Sequence, residues 1–171
     1  MKISVIGTLP PLKGISPYCA AFAKELSKNI YVEFINFKSI YPEFLYPGKS
    51  TKVKDPNYLP PKLEKGKIKN VLTWYNPFSW IKTGLTLEGD IVHAQWWSYV
   101  LAPVYLTILL LAKLRGKKIV ITVHNVFPHE SNWFSNLLNK SVIHLGDRFI
   151  VHSEDNKKTF IDNFKINDDK V

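Results

Sequence analysis

The chain has 171 residues, 46% of them apolar, with a formal net charge of +9 and a single cysteine, Cys19. That is enough apolar material for one domain with a real core. An internal disulfide framework is excluded, and one cysteine suits a reducing, cytoplasmic compartment, where we place the protein, with the inner membrane surface as the peripheral alternative. Lysine carries nearly all of the charge, because Arg115 and Arg148 are the only arginines. Readers of nucleic acid lean on arginine forks, so a nucleic-acid partner is not expected.

The elements alternate. Lys2 to Ile6 reads as a strand with no signal peptide before it, and Ser16 to Lys28 has helical apolar spacing. Between them, Gly7 to Pro17 makes a loop in which Gly14 permits close backbone approach, Ser16 is a candidate N-cap and Pro17 opens the helix. Neither the dinucleotide fingerprint nor a P-loop is present there. Ile30 to Phe37 is the next strand. From Lys38 to Lys67 runs a long, proline-rich and aromatic connection, a lid, an acceptor-binding loop or plain surface. Eight lysines against Glu43, Asp55 and Glu64 between Lys38 and Lys69 make it a solvated surface, or a contact for anionic lipid headgroups or a phosphorylated substrate.

Strand Asn70 to Trp74, a helix around Phe78 to Leu87 and strand Asp90 to His93 follow, then a helix from about Tyr99 to Leu114 and strand Lys118 to Val123. Val100 to Ala112 is too short for a bilayer span and reads as a buried helix. Asn132 to Leu145 is helical, Arg148 to His152 a strand and Asp155 to Phe164 a last helix. Gly89, Gly116 and Gly146 each stand between a helix and a strand, a place that favours left-handed dihedrals. The fold class predicted is α/β: a Rossmann-like, mainly parallel, doubly wound sheet with helices on both faces.

His93, His124 and His152 are each expected to close a strand, which would bring three imidazoles to the carboxyl edge of the sheet, where ligands of such sheets bind. Gln95, Trp96 and Trp97 follow His93, and Asn125, His129 and Glu130 follow His124. Either tryptophan can stack on a sugar or pack in the core. His93 and His152 are the more structural of the histidines. No zincin pattern, serine elbow or Asp-x-Asp pair appears, so neither a metal nor a cofactor is expected.

Four blocks carry a resemblance: Pro10-Pro11-Leu12-Lys13-Gly14, then Asp90-Ile91-Val92-His93-Ala94-Gln95-Trp96-Trp97, then Val120 to Glu130 and Phe149 to Glu154. Nearly end to end, the chain resembles the amino-terminal domain of a family 4 glycosyltransferase, one half of a GT-B enzyme. The resemblance implies residues 1–171 as the acceptor-side domain, with the nucleotide-sugar-binding carboxy-terminal domain as a partner beyond this chain. It implies metal-free, retaining transfer from a nucleotide-sugar to a saccharide or lipid-linked acceptor, and an isolated domain that does not turn over. Gly14 and Lys13 inherit contacts with the donor diphosphate, and His124 the contact with the donor sugar. Gln95, Trp96, Trp97, Asn125, His129 and Glu130 are candidates for the acceptor or sugar. Glu25 and Glu33 match the spacing of the family's glutamate pair but lie in the wrong half, a coincidence. The rival is a nonenzymatic ligand-binding α/β domain, a sensor or partner module using the same crevice.

Overall fold

The computed structural model describes residues 1–40, 50–125 and 133–171. Six strands form one all-parallel sheet: β1 (Lys2–Gly7), β2 (Tyr31–Ser39), β3 (Gly66–Thr73), β4 (Ile91–Trp96), β5 (Lys118–Val123) and β6 (Arg148–Ile150). Their order across the sheet is β3-β2-β1-β4-β5-β6. The helices are α1 (Ser16–Ser27), α2 (Pro77–Thr86), α3 (Ala102–Leu114), α4 (Trp133–Ile143) and α5 (Glu154–Phe164), with a 3-10 turn at Tyr99–Leu101 leading into α3. The predicted Rossmann-like α/β class is therefore what the chain adopts.

Right-handed crossovers explain the layering. From β1 the chain steps one way to β2 and β3, then reverses to β4, β5 and β6, so α1 covers one face and α2, α3 and α4 the other. The core divides accordingly. Cys19 and Ala23 of α1 pack with Val5, Leu9, Val32 and Phe34. On the opposite face Ile6, Ile35, Ala94, Trp96 and Ile121 pack with Val104, Tyr105, Ile108 and Val142. Strands buried on both sides read as continuous apolar runs rather than alternations.

At the amino end of the strands sits a buried carboxylate. Glu33 Oε2 accepts from Ser4 Oγ at 2.5 Å and from the Glu88 amide at 2.9 Å, and Oε1 accepts from Lys69 Nζ at 2.5 Å. Lys67 and Lys69 bracket Glu88 at 2.6 and 3.0 Å and hold its carboxyl down to about 2, chiefly through the Lys67 hydrogen bond. Glu33 is thus a structural group remote from the carboxyl edge, in keeping with its sequence spacing being coincidental.

Several expectations need correction. Strand β4 runs to Trp96, three residues past His93, so His93 lies inside the strand. Strand β6 stops at Ile150, leaving His152 two residues beyond it. Of the three helix-to-strand glycines only Gly116 has a positive φ, at 71°. Gly89 is required for another reason: a Cβ there would lie 2.3 Å from the Ser4 backbone nitrogen. At Gly146 the added carbon would strike the Phe149 ring at 2.6 Å. Ser16 does not cap α1; its hydroxyl donates to the Leu12 carbonyl and meets Tyr58 Oη at 2.9 Å.

The end of the long connection is not a detached loop. Lys13 donates its amide to Thr51 O at 2.9 Å and Val53 to Pro11 O at 2.8 Å, with an antiparallel bridge between Leu12 and Lys52. The segment straps the turn that carries Gly14. Its aromatic and proline positions Tyr41, Pro42, Phe44, Tyr46 and Pro47 lie outside the described residues. Among the described residues, no helix is long and apolar enough to cross a membrane.

Candidate functional site

The strand order reverses between β1 and β4, so the crevice of this sheet opens between their carboxyl ends. Side chains on a strand alternate between faces. That alternation puts His93 and Gln95 on the α1 face together with Thr122 and His124, and sends Trp96 to the other face. His93 Nε2 meets Thr122 Oγ1 at 2.7 Å, and Phe22 of α1 packs edge-on against its ring at 4.9 Å. His93 is only 3% exposed, and burial holds its imidazole down to about 4. It is a packed, neutral strand residue, and the expected trio of strand-end imidazoles becomes a pair.

His124 and His152 form that pair. His124 Nε2 lies 2.8 Å from Gln95 Oε1, and its Nδ1 lies 3.1 Å from His152 Nε2. An amide oxygen only accepts, so His124 carries its proton on Nε2 and accepts at Nδ1, and His152 donates from Nε2. A second proton on His124 would point at the His152 donor. Burial first, then the fields of His152 and His93, hold the His124 imidazole down to about 4. Tyr18 in the first turn of α1 sets its ring nearly perpendicular to both imidazoles, with centroids at 4.8 and 5.3 Å. Since Tyr18 stands four residues after Gly14, the first loop and the histidine pair occupy the same edge of the sheet.

Gln95 has no exposed surface, and its Nε2 finds no hydrogen-bond partner among the described residues. The same is true of Thr8 Oγ1, just past the end of β1. Buried polar atoms cost free energy unless paired, and orphans at a switch point are what a polar ligand would satisfy. Gly7 makes room here: a Cβ on it would come to 3.1 Å from Gln95 Cγ and 3.2 Å from Cys19 Sγ. Sequence reasoning missed Thr8 and Gly7; their signal was position, at the end of the strand where the order reverses. Cys19 is no nucleophile, since burial pushes its thiol up to about 12.

The other predicted residues sort as follows. Trp96 is 2% exposed, donates its indole N–H to Asn139 Oδ1 at 3.1 Å and packs edge-on against Tyr105. It is core, which removes it from the sugar-stacking candidates. Trp97 is half-buried at the rim against Phe37 and Tyr105. Asn125 is exposed and donates from Nδ2 to Trp97 O at 3.0 Å, tying the ends of β4 and β5. Gly14 is exposed with φ 80°, and no atom lies within 4 Å of where a Cβ would stand. Lys13, half-buried beside it, keeps its amide on the strap. His129 and Glu130 lie outside the described residues.

Beside the pair, a recess of about 520 Å³ opens at the end of β6, lined by His152, Ser153, Glu154 and Lys157. Ser153 caps α5, accepting from the Asn156 amide at 3.2 Å. Among the described residues no group of three His, Cys, Asp or Glu side chains is placed to hold a metal ion. The arrangement offers neutral donors and acceptors at a switch point, suited to sugar hydroxyls or phosphate oxygens.

The model of the Glycosyltransferase Family 4 matches residues 12–171. No curated protein matches the sequence. Among solved structures, the UDP-N-acetylglucosamine 2-epimerase from Rickettsia bellii is similar with a TM-score of 0.60 and 13% identity, over 99% of this chain and 43% of that one. The UDP-GlcNAc 2-epimerase from Methanocaldococcus jannaschii is similar with a TM-score of 0.60 and 16% identity, over 99% and 44%. The chain thus spans less than half the length of these structures, and the likeness at such identity is one of fold.

Proposed function

The chain belongs to Glycosyltransferase Family 4, and on that premise we propose that it is the acceptor-side half of an enzyme that moves a sugar from a nucleotide-sugar to an acceptor. Transfer proceeds with retention and without a metal ion, and the half that grips the nucleotide lies outside these 171 residues. The observation that carries the proposal is the convergence of Thr8, Gln95 and His124 at the switch point, with two buried polar atoms unpaired among the described residues.

In this proposal His124 faces the donor sugar as a neutral imidazole. Before the sugar binds, Gln95 Oε1 accepts the Nε2 proton of His124. A donor-sugar oxygen takes that place while His152, donating to Nδ1, keeps the tautomer, so the ring spends no free energy reorienting as charge develops. A sugar hydroxyl or phosphate oxygen takes the free hydrogen-bonding capacity of Gln95 Nε2 and Thr8 Oγ1. Gly14 leaves open space for a diphosphate to approach the backbone, and the Lys13 ammonium adds a charge there. Trp97, Asn125, His129 and Glu130 border the acceptor, a saccharide or a lipid-linked saccharide.

The test compares the full-length protein with the 171-residue chain. Both are given UDP- and GDP-sugars with saccharide acceptors, and released nucleoside diphosphate and product anomer are measured. Transfer by the full-length protein alone, with retained configuration and indifference to chelator, is expected. Equal turnover by the 171-residue chain would refute the half-domain assignment. Ligand binding without turnover in the full-length protein would favour a nonenzymatic sensor, and conversion of UDP-GlcNAc to its 2-epimer would refute transfer.

A further inference from the structure

The helix layer formed by α2, α3 and α4 differs from the rest of the surface in two independent ways. Apart from Tyr18 on α1, every exposed large apolar side chain on a described helix belongs to this layer. On α2, Phe78 is 81% exposed, and Ile81 and Leu85 continue its stripe at helical spacing. On α3, Leu110 and Leu114 do the same, and α4 exposes Trp133, Phe134 and Leu137. The two main stripes adjoin because α2 and α3 pack closely: a Cβ on Gly84 would come within 2.8 Å of Leu111 Cβ.

Charge is the second difference. None of the residues of α2, α3 or α4 is acidic, and each helix carries one lysine: Lys82, Lys113 and Lys140. By contrast α1 carries Glu25, and α5 carries Glu154, Asp155 and Asp162. Lys82 makes no ion pair among the described residues. It lines a groove of about 630 Å³ between α2 and the edge strand β3, together with Lys38, Asn76 and Phe78. The groove is not part of the histidine crevice, yet Phe78 stands in the first turn of α2, just past the carboxyl end of β3, so this end of the face borders the same sheet edge.

A contiguous exposed apolar face marks an interaction site rather than ordinary surface. A helix that presents large apolar residues beside lysines, with no acid to repel anions, is suited to lie in the headgroup region of an anionic bilayer. We propose that the outer face of α2 and α3 docks on an anionic membrane surface. Phe78, Ile81, Leu85 and Leu114 enter the acyl boundary, and Lys82 and Lys113 reach lipid phosphates. The docking face is thereby placed on the helix layer rather than on the lysine-rich connection. It does not depend on the transfer reaction.

The experiment is co-sedimentation of the chain with vesicles of phosphatidylcholine alone or mixed with phosphatidylglycerol, at low and high salt. Binding to the mixed vesicles, weakened by salt, is expected. The paired substitutions Phe78→Ser and Leu85→Ser, and separately Lys82→Glu, should each weaken it by about tenfold or more. Lys24→Glu, an equal charge change on α1, should alter it by less than about threefold, since surface charges act within a Debye length of the docked face. Circular dichroism and melting confirm the fold of each variant. Equal affinity for neutral and anionic vesicles, or variants that bind as the parent does, would overturn the proposal. So would self-association of the parent that the Phe78→Ser, Leu85→Ser pair abolishes without any vesicle binding, which would assign the face to a second copy.

Discussion

Replacing His93 with glutamine should flatten the acid dependence of stability, and the size of the effect follows from the environment of the ring. Buried between Thr122 and Phe22, His93 is held down to about 4 against an ordinary 6.5. Its depressed value means the unfolded chain binds a proton that the folded chain refuses. Stability from this residue is therefore fully present above about pH 6.5 and is lost as pH falls toward 4. At ~1.36 kcal/mol for each tenfold change in proton affinity, the whole contribution is about 3 kcal/mol. Around pH 5 the loss runs at ~1.4 kcal/mol per pH unit, the slope for one proton. Glutamine keeps a polar group opposite Thr122 and does not titrate. Urea unfolding followed by tryptophan fluorescence at several pH values between 7 and 4.5 reads the two slopes. Carboxylates such as Glu88 act in both proteins and cancel, and His124, held down chiefly by burial, loses only the weaker field of His93. Parallel curves for parent and variant would show that His93 is not held neutral by the fold, and the argument from burial would fail.

His124→Ala in the full-length protein should lower turnover by ~2–4 kcal/mol of transition-state stabilisation, the scale of one oriented donor, while nucleotide affinity changes little and stability falls by ~1–3 kcal/mol because the buried Gln95 Oε1 loses its partner. A destabilised variant whose folded fraction stays fully active would instead make His124 structural. Gly89→Ala drives a carbon against the β1 backbone and should cost about 3 kcal/mol, the upper range for overpacking. In a domain of this size that lowers the melting temperature by ~6–12 °C by calorimetry; no measurable change would mean the strand shifts freely.

Most of the fold could be read from apolar runs and helical spacing, because a parallel sheet buried on both faces writes itself as short greasy segments between helices. What misled was the chemistry of single residues. His93 and Gln95 look like strand ends, since polar groups usually mark the exit to solvent. Here Thr122 and Tyr105 supply partners, His93 through its ring and Gln95 through its carbonyl, so the strand continues. Those partners lie 29 and 10 residues away in sequence and leave no local trace. Trp96 and Trp97 are adjacent and chemically identical, and only alternation separates them, one to Asn139 in the core and one to the rim. The glycines were correctly placed but for differing reasons, a positive φ at Gly116 and a backbone crossing at Gly89. The pairing of His124 with Gln95 and His152 follows from three successive strand ends, and its elements, though not its bonds, were legible.

The position of β1 bears on how the chain matures on the ribosome. Ile3 pairs with Val32 on one side and with Ile91 on the other, and Ser4 awaits the amide of Gly89. Of the strands of this sheet the one translated first is thus an inner strand, and one flank stays bare until some ninety further residues have been translated. At ~5–20 residues per second that delay lasts several seconds. Through it the nascent segment offers an unpaired apolar edge to any neighbour, a natural point for chaperone contact or for misassembly between adjacent chains. Both halves of the crevice, at Thr8 and at Gln95, come into being only when that wait ends.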